Sequence, residues 1–534
     1  MKSSVIIFLI IIYIPLAAIG ISHFFSLPFD VPLAGYVDEA EKPAFSLDSF
    51  LSAQYQPAYS AWLDSSLYPR GILIKTYGSL NYHLFNTGNQ ILGHNHDVFE
   101  QSYINAQLCI TEGDDFSLQE NKQSMHLFIE DLTAVQKKLQ AYGKSLYVFI
   151  TPSKADFHSS NIPEKYLALS RPCSTRAVDY FRECMEQTDI PYFICADMKS
   201  QLEYPAFYTT GIHWSKSYEQ LASHQIISHI SHVTGKNYRN IILGDASSSA
   251  LPYERDSDVY DLLNIWGQRN NTYYKYNCTR QYPQKYPVEY DKMRFLIYGD
   301  SFGEGLRKII LDSYPYEEIF YINYVNYVTD KNSSYTYLEG SWDNFDFGYY
   351  LDNTDVVVME MNECMIKDYT LGFAENLNRF LDTYSPNTTE INPMASVDAS
   401  SGEEWNYDSL YGIYPKDTDF AWAAPYSEMF IQDAGIYEQG MEISLRIPEQ
   451  IFLLHPNDEI SIYVNGKQVY NCLFQGEWAD SVIIPKDEIE KVGTDNGLFR
   501  VEIICSQSIT GDALWQNGND NDLAIQISYV GRAR

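Results

Sequence analysis

The run Phe295-Leu296-Ile297-Tyr298, closed by Gly299-Asp300-Ser301-Phe302 and followed by Leu306, Ile309 and Ile310 at helical spacing, constrains this chain more than any other segment. An apolar strand that passes through a glycine turn straight into an amphipathic helix belongs to an α/β layer structure in which the strand is buried. Glycine permits the sharp turn, the strand end projects the Ser301 hydroxyl, and the helix start aims its free N–H groups at negative charge developing there. A serine so placed is a candidate nucleophile. Asp300, beside it, has the residue type of a turn-stabilising side chain or of a site acid.

Further units of the same kind flank this one. Met125, Phe128, Ile129, Leu132, Val135 and Leu139 follow helical spacing, Gly143 ends that helix, and residues 146–150 read as a strand. A strand at 192–195, a helix carrying Tyr218, Ala222, Ile226 and Ile230, and a strand at 355–359 continue the alternation. The pattern predicts a sheet covered by helices on both faces. Residues 46–84, around Trp62, Leu63 and Arg70, read as helices leading into the core. Between 384 and 404 the composition turns to Ser, Asn, Thr, Pro and Glu without periodicity, the signature of a linker. Beyond it the short segments 442–447, 460–464, 482–484, 499–504 and 523–529 predict a β-sandwich, and Asn465-Gly466 marks a hairpin turn within it. The expected division is an anchor or signal peptide at 1–25, an α/β domain at 26–385, a linker at 386–404 and a β-sandwich at 405–534. Trp405, Trp422 and Trp478 in that last part either stack on sugars or fill the core.

The chain has 70 acidic against 37 basic residues, a formal charge of -33, which excludes a phosphate-binding surface and so a nucleic-acid partner. Residues 5–21 are uncharged and apolar after Lys2, with His23, Phe24 and Phe25 at interfacial positions. They read as a single N-terminal membrane anchor, or as a cleaved signal peptide with Ala18-Ile19-Gly20 as its small-residue site; either places the main body outside the cytoplasm, membrane-held or secreted. The eight cysteines show no metal-like pairs, and export permits disulfides, with Cys472 and Cys505 as a candidate pair. His94 and His96 have only Asp97 nearby as a further ligand and read as a surface turn, so neither metal nor cofactor is expected.

A serine hydroxyl is a poor nucleophile until a base takes its proton. His213, in Tyr208-Thr209-Thr210-Gly211-Ile212-His213-Trp214-Ser215, lies in a loop leading into a helix, with Trp214 beside it to wall a site. Lys154, after the strand at 146–150, is either a site cation or a solvated loop charge.

The His213-Trp214-Ser215 element followed by Gly299-Asp300-Ser301-Phe302 resembles the SGNH-hydrolase-like alginate O-acetyltransferase family, membrane-anchored or exported proteins that acetylate polysaccharides. Trp62-Leu63 and Arg70, the segment from Ile91-Leu92-Gly93 to Phe99, and Thr151-Pro152-Ser153-Lys154 fall where that family has similar elements. The resemblance spans residues 45 to 380, and its two core motifs are the specific part. Motif order agrees too: His213 precedes Ser301, whereas ordinary SGNH esterases begin with the serine block and end with the histidine.

The resemblance implies an SGNH-like three-layer sandwich with a mainly parallel sheet, and an extracytoplasmic O-acetyltransferase working through an acetyl-serine. Its acceptor is then a cell-surface or secreted polysaccharide, and its acetyl donor a multi-pass membrane protein. Ser301 and His213 are the implied catalytic pair. The Ser301 N–H and the Asn362 amide, at the end of 355–363, are the implied oxyanion donors, and Asn362 reads equally as an asparagine satisfying a loop backbone. Glu363 falls where the family often has an acidic residue. The same residues serve a carbohydrate acetyl-esterase, and a non-catalytic glycan-binding scaffold is the other alternative. One departure matters: the family carries an aspartate two residues before the histidine, and here that position is Gly211. A backbone carbonyl orients His213, or an acid arrives from elsewhere, or the protein is degenerate. Asp197 and Glu219 are the nearest acids in sequence, and neither is compelling.

Overall fold

Every residue of the strand Val356–Asn362 is buried, because the strand lies mid-sheet with helices against both faces. The computed structural model describes residues 31–35, 40–66, 70–88, 90–171, 174–267, 271–280, 282, 290–314, 317–324, 326–329, 335–338, 340–342, 345–386, 393–401, 405, 409–494, 497–515 and 521–534, with Tyr13, Ala17, Gly20, Ile21, Phe24 and Phe25 before them. The apolar stretch read as an anchor lies largely outside these residues. Among the described residues no helix is long and apolar enough to cross a membrane.

Along the chain the α/β part runs α1 (Gln119–Ala141), β1 (Ser145–Thr151), α2 (Ala177–Met185), β2 (Tyr192–Ile194), α3 (Lys216–Thr234), a separate hairpin of β3 (Leu243–Ser249) and β4 (Tyr273–Cys278), β5 (Arg294–Gly299), α4 (Ser301–Ser313), β6 (Glu318–Asn323), β7 (Tyr327–Thr329), β8 (Tyr335–Tyr337), β9 (Val356–Asn362) and α5 (Phe373–Leu381). The sheet order is β8-β7-β6-β5-β9-β1-β2. From β6 to β2 all neighbours are parallel, and β7 and β8 add an antiparallel edge. This is the expected layer structure.

Strand periodicity explains how two faces are filled at once. Val357, Met359 and Met361 of β9 join Leu146, Val148 and Ile150 of β1 in a core with α1, α2 and α5. Their alternates Val356 and Val358 join Tyr147 and Phe149 in a second core with α3 and α4. Tyr298 of β5 stacks flat on Phe373 of α5, with ring centroids 4.1 Å apart, which fixes the first helix layer against the nucleophile-bearing strand. Parallel register then brings the carboxyl ends together: Asn362 pairs with Thr151, and Met359 with Tyr298 just before Gly299. Open α/β sheets place their sites at such ends.

The C-terminal part contains β10 (Leu410–Ile413), β11 (Ala421–Gln432), β12 (Met441–Ile447), β13 (Asp458–Val464), β14 (Lys467–Phe474), β15 (Trp478–Ile484), β16 (Leu498–Cys505) and β17 (Ile525–Arg532). Together with the short Val397–Asp398 they form a nine-stranded antiparallel sheet around one apolar core; its main path runs β14-β13-β16-β11-β17-β12-β15, with β10 on β11 and Val397–Asp398 on β17 off that path. Asn465 and Gly466 both take positive φ, 44° and 79°, as a tight two-residue hairpin requires. One detail differs from expectation, and the tryptophans follow the core reading. Val397–Asp398, inside the segment read as linker, pairs with β17, because its backbone groups complete that strand's free side. Trp405 is buried in the core, while Trp422 and Trp478 pack half-buried against it.

The candidate disulfide is corrected as well. Cys472 and Cys505 each lie opposite Ile460, on strands flanking β13, and both are free thiols. Two strand spacings separate them by roughly 9–10 Å, beyond the reach of a disulfide. Alkylation of the unreduced, unfolded protein followed by peptide mass mapping is expected to modify both cysteines fully; a Cys472–Cys505 bridged peptide would contradict this register.

Candidate active site

The turn after β5 is built by close packing on a buried carboxyl. A Cβ at Gly299 would lie 2.4 Å from Glu360 Oε2, so only glycine lets the strand end approach β9 this closely. Glu360 Oε2 accepts the Asp300 N–H at 2.9 Å, and its Oε1 accepts the Thr151 hydroxyl at 2.6 Å. Burial, then the neighbouring Asp300 charge, pushes the Glu360 carboxyl well above the ordinary range. Asp300 caps α4: its Oδ1 accepts the Phe302 N–H at 2.8 Å, and its Oδ2 accepts the Tyr324 hydroxyl at 3.2 Å. Ser301 is thereby fixed at the first helical position, where backbone N–H groups lack intrahelical acceptors.

The structure brings Ser301 and His213 together. Ser301 Oγ lies 2.5 Å from His213 Nε2, and His213 Nδ1 lies 2.5 Å from Asp258 Oδ2. A carboxylate on Nδ1 requires the proton there, which leaves Nε2 as the acceptor for the serine hydroxyl. Asp258 Oδ1 also accepts the Ile212 N–H at 3.0 Å, so this acid holds both the ring and the backbone that carries it. The His213 side chain is 16% exposed and that of Asp258 20%, open enough for a substrate to reach. Phe302 lies against the His213 ring, and the buried Trp214 packs edge-on against Phe302, so the tryptophan is a wall behind the site.

Gly211 explains how the acid arrives. A Cβ at that position would lie 2.7 Å from the Asp256 carbonyl oxygen and 3.0 Å from Asp258 Oδ1. The missing side chain leaves the space in which the 253–258 turn docks. That turn makes three contacts with the site. Arg255 donates to the Ser301 carbonyl and pairs with Glu304 of α4 at 2.5 Å. Asp256 accepts the Lys216 N–H at the start of α3 at 2.7 Å. Asp258 supplies the acid. Asp197 and Glu219 are otherwise engaged: Asp197 pairs with Arg182 on the surface, and Glu219 pairs with Lys216 at 2.9 Å while lying over Gly305.

The role expected of Lys154 is revised, and of the two readings of Asn362 its hydrogen bonds match the one that satisfies loop backbone. Lys154 is neither a solvated charge nor a cation facing substrate. It is fully buried, donates to the carbonyls of Tyr208 and Gly211 at 2.7 Å each, and pairs with Asp97 at 2.6 Å, so it staples the histidine loop. Burial pushes its ammonium down to about 8 against the pull of Asp97. Asn362 spends both amide protons, donating to Thr151 Oγ1 at 3.3 Å and to the Pro152 carbonyl at 3.2 Å. It ties the ends of β1 and β9 together instead of offering a free donor to an oxyanion. His94 pairs with Glu164 and His96 stacks on Tyr82, and no metal-ligating cluster occurs among the described residues.

Asp258, with Arg255 and Asp256, is what sequence reasoning missed. The signal was present: Arg255-Asp256-Ser257-Asp258 is an acid-rich turn between the two motifs, and Gly211 leaves the position two residues before His213 without a side chain.

No protein-family model and no curated protein matches this chain. Its structure is distantly similar to the O-acetyltransferase domain of Pseudomonas putida AlgJ (TM-score 0.34, 14% identity, 54% of this chain and 100% of that one). It is similar to the same degree to Pseudomonas aeruginosa AlgX (TM-score 0.34, 10% identity, 79% and 95%). For Bacillus cereus PatB1 with a sulfonyl adduct the TM-score is 0.31, at 11% identity over 46% and 90%. Likeness at this level carries no functional argument, which the site geometry must supply.

Replacing the acid in a serine-protease triad by its amide lowers turnover about 10⁴-fold, and Asp258→Asn is expected to cost about 10³ to 10⁴ in ester turnover with the melting temperature little changed. Gly211→Asp, which puts an acid two residues before His213, is expected to lower both turnover and melting temperature, because the new Cβ meets the Asp256 backbone.

Glu363 is buried and accepts from the Ser153 N–H and hydroxyl at 3.4 and 3.3 Å; burial, then the Asp156 charge, pushes its carboxyl up to about 7 despite Arg176. The folded state therefore holds this proton more tightly than the unfolded chain. Its contribution is full below pH about 4, fades as pH rises towards about 7 and stays lost above. Urea unfolding is expected to find Glu363→Gln more stable than the parent by about 1–3 kcal/mol at pH 8 and little different at pH 4.

Proposed function

We propose that this protein is a serine acyltransferase that moves an acetyl group onto hydroxyls of a cell-surface or secreted polysaccharide. The observation that carries the reading is the unbroken chain from Ser301 Oγ through His213 to Asp258, at the carboxyl end of a parallel sheet. Choice of acetyl as the group, and of a glycan as acceptor, rests on the resemblance of the two core motifs and their order.

In the first half-reaction the Ser301 proton passes to His213 Nε2 as Oγ attacks the acetyl carbonyl. The resulting oxyanion is met by the Ser301 N–H at the α4 start. Asp258 stabilises the imidazolium that forms, and Nε2–H then protonates the leaving group of the donor as the tetrahedral species collapses to acetyl-Ser301. In the second half, His213 takes the proton of a sugar hydroxyl while its oxygen attacks the acetyl-serine. Collapse breaks the bond to Oγ, which recovers the proton, and the acetyl ester leaves on the sugar. Arg255 and Asp256 touch no reacting atom; they hold the α4 start and the α3 start in register. The donor in this reading is a multi-pass membrane protein that passes acetyl outward, with the apolar N-terminal stretch holding the catalytic body near it.

A serine-directed phosphonate is expected to label the protein once, at Ser301, and to leave Ser301→Ala unlabelled. With an activated acetyl ester and a glycan, acetylated sugar is expected. Release of acetate alone would make the protein an esterase, and a folded but unlabelled protein would leave the scaffold reading.

A further inference from the structure

The helix that runs from Arg70 to Leu80 and on through Asn81–Phe85 turns an apolar stripe to solvent. Tyr77, Leu80, Leu84 and Phe85 are 72%, 52%, 67% and 68% exposed, and side chains three and four residues apart share one helix face. An exposed stripe of this kind marks a protein-binding or membrane-binding surface. The helix cannot turn it inward, because the opposite face is committed. A Cβ at Gly78 would lie 2.8 Å from the Asn264 carbonyl oxygen and 3.1 Å from that of Leu263, so the helix sits directly on that backbone. The Trp266 backbone N–H donates to Ser79 Oγ at 2.6 Å and its indole N–H to Thr76 Oγ1 at 3.0 Å, while Tyr82 packs on Leu92, Val98, Val259 and Leu263.

Three observations say what covers the stripe. The first is place. Ala34, thirteen residues on from Ile21 at the end of the apolar N-terminal stretch, donates its N–H to the Asn264 side chain at 2.9 Å and accepts from the Asn264 amide at 3.1 Å. Asn264 is the residue beneath Gly78, so that stretch ends at most about 45 Å of extended chain from the helix. The second is charge. No acid stands between Asp64 and Asp97, the longest acid-free span in a chain with 70 acidic residues. Arg70 and Lys75 are the formal charges within it, and Lys75 joins no ion pair among the described residues. The third is chemistry. Apart from the Tyr77 hydroxyl the stripe has no hydrogen-bonding side chain, and the exposed Trp266 beside the helix is of the residue type that favours the membrane–water boundary. The helix is too short to cross a bilayer, which takes about 20 residues, and suits a position in its plane.

We infer that this helix docks on a lipid surface, with Tyr77, Leu80, Leu84 and Phe85 entering the boundary of headgroups and acyl chains. The inference rests on the reading of residues 5–21 as a membrane segment and adds a second attachment, which fixes the orientation of the catalytic body where a single anchor leaves it to swivel. The segment under the helix, residues 259–266, follows Asp258 directly, so the docked surface is continuous with the turn that supplies the acid.

The test uses the full chain in vesicles of phosphatidylcholine, with or without phosphatidylglycerol, that contain a phospholipid bearing a photoactivatable diazirine on its acyl chain. After irradiation, peptide mass mapping is expected to find label on residues 77–85 as well as on residues 5–21. The double variant Leu80→Glu, Leu84→Glu is expected to lose the helix label at least tenfold, to keep the label on residues 5–21 and to melt with the parent. Lys75→Glu is expected to lower the helix label severalfold in vesicles with phosphatidylglycerol and little in those without. An unlabelled helix beside labelled residues 5–21 overturns the inference and assigns the stripe to a protein partner, or to a second copy if a water-soluble crosslinker joins two chains through residues 70–85. Equal helix label in parent and double variant overturns it as well. Label on the helix with none on residues 5–21 upholds the docking surface and is instead the failure of the anchor reading.

Discussion

The approach of the 253–258 turn to the backbone at Gly211 is the contact on which the site depends. Without a side chain at 211 the turn comes within van der Waals distance, and its residues then reach both catalytic motifs at once. Arg255 grips the start of α4, Asp256 grips the start of α3, and Asp258 grips the imidazole between them. A single turn thus sets the separation of two helix ends whose residues must meet within hydrogen-bonding distance. The sheet supplies the other half of that geometry, because parallel register aligns the ends of β1, β5 and β9 before any side chain is considered.

Beneath the nucleophile lies a layer of groups that water does not reach. Glu360, Thr151 and Asn362 link the ends of β1 and β9 by hydrogen bonds, and Glu360 extends the link to the end of β5 by holding the Asp300 amide. Burial and the neighbouring Asp300 charge push this carboxyl towards its neutral form. Lys154 does the corresponding task for the histidine loop, where its three donors are matched by two carbonyls and one carboxylate. Buried polar groups of this kind rigidify only when all are satisfied, and at both places the partners are present.

Much of this was legible in the amino-acid sequence. The strand-turn-helix at 295–310, the helix ended by Gly143 and the Asn465-Gly466 hairpin are local patterns, and local patterns survive translation into structure. The pairing of His213 with Ser301 was readable because each motif has its own surroundings. The acid was legible only as an acid-rich turn, Arg255-Asp256-Ser257-Asp258, between the motifs; that Asp258 is the member reaching His213 follows from how the turn docks at Gly211, which is tertiary. Lys154 was misread for a related reason: burial of a lysine depends on which carbonyls surround it, and those come from residues 208 and 211. Asn362 stands where an amide donor was expected, but its hydrogen bonds go to β1, a partner that only the sheet register reveals.

The distance along the chain between His213 and Asp258 changes what kind of object the triad is. An acid two residues before its histidine forms a unit within one loop, and that unit keeps its geometry while neighbouring parts loosen. Here 45 residues separate the two partners, including all of α3 and the first strand of a hairpin outside the main sheet. The loop-closure entropy for that contact must be met by the docking of the hairpin itself. Competence of the base is therefore a reading of tertiary order: any event that lifts the hairpin, from partial unfolding to a nick in the segment between, disconnects the acid while leaving serine and histidine on their own elements.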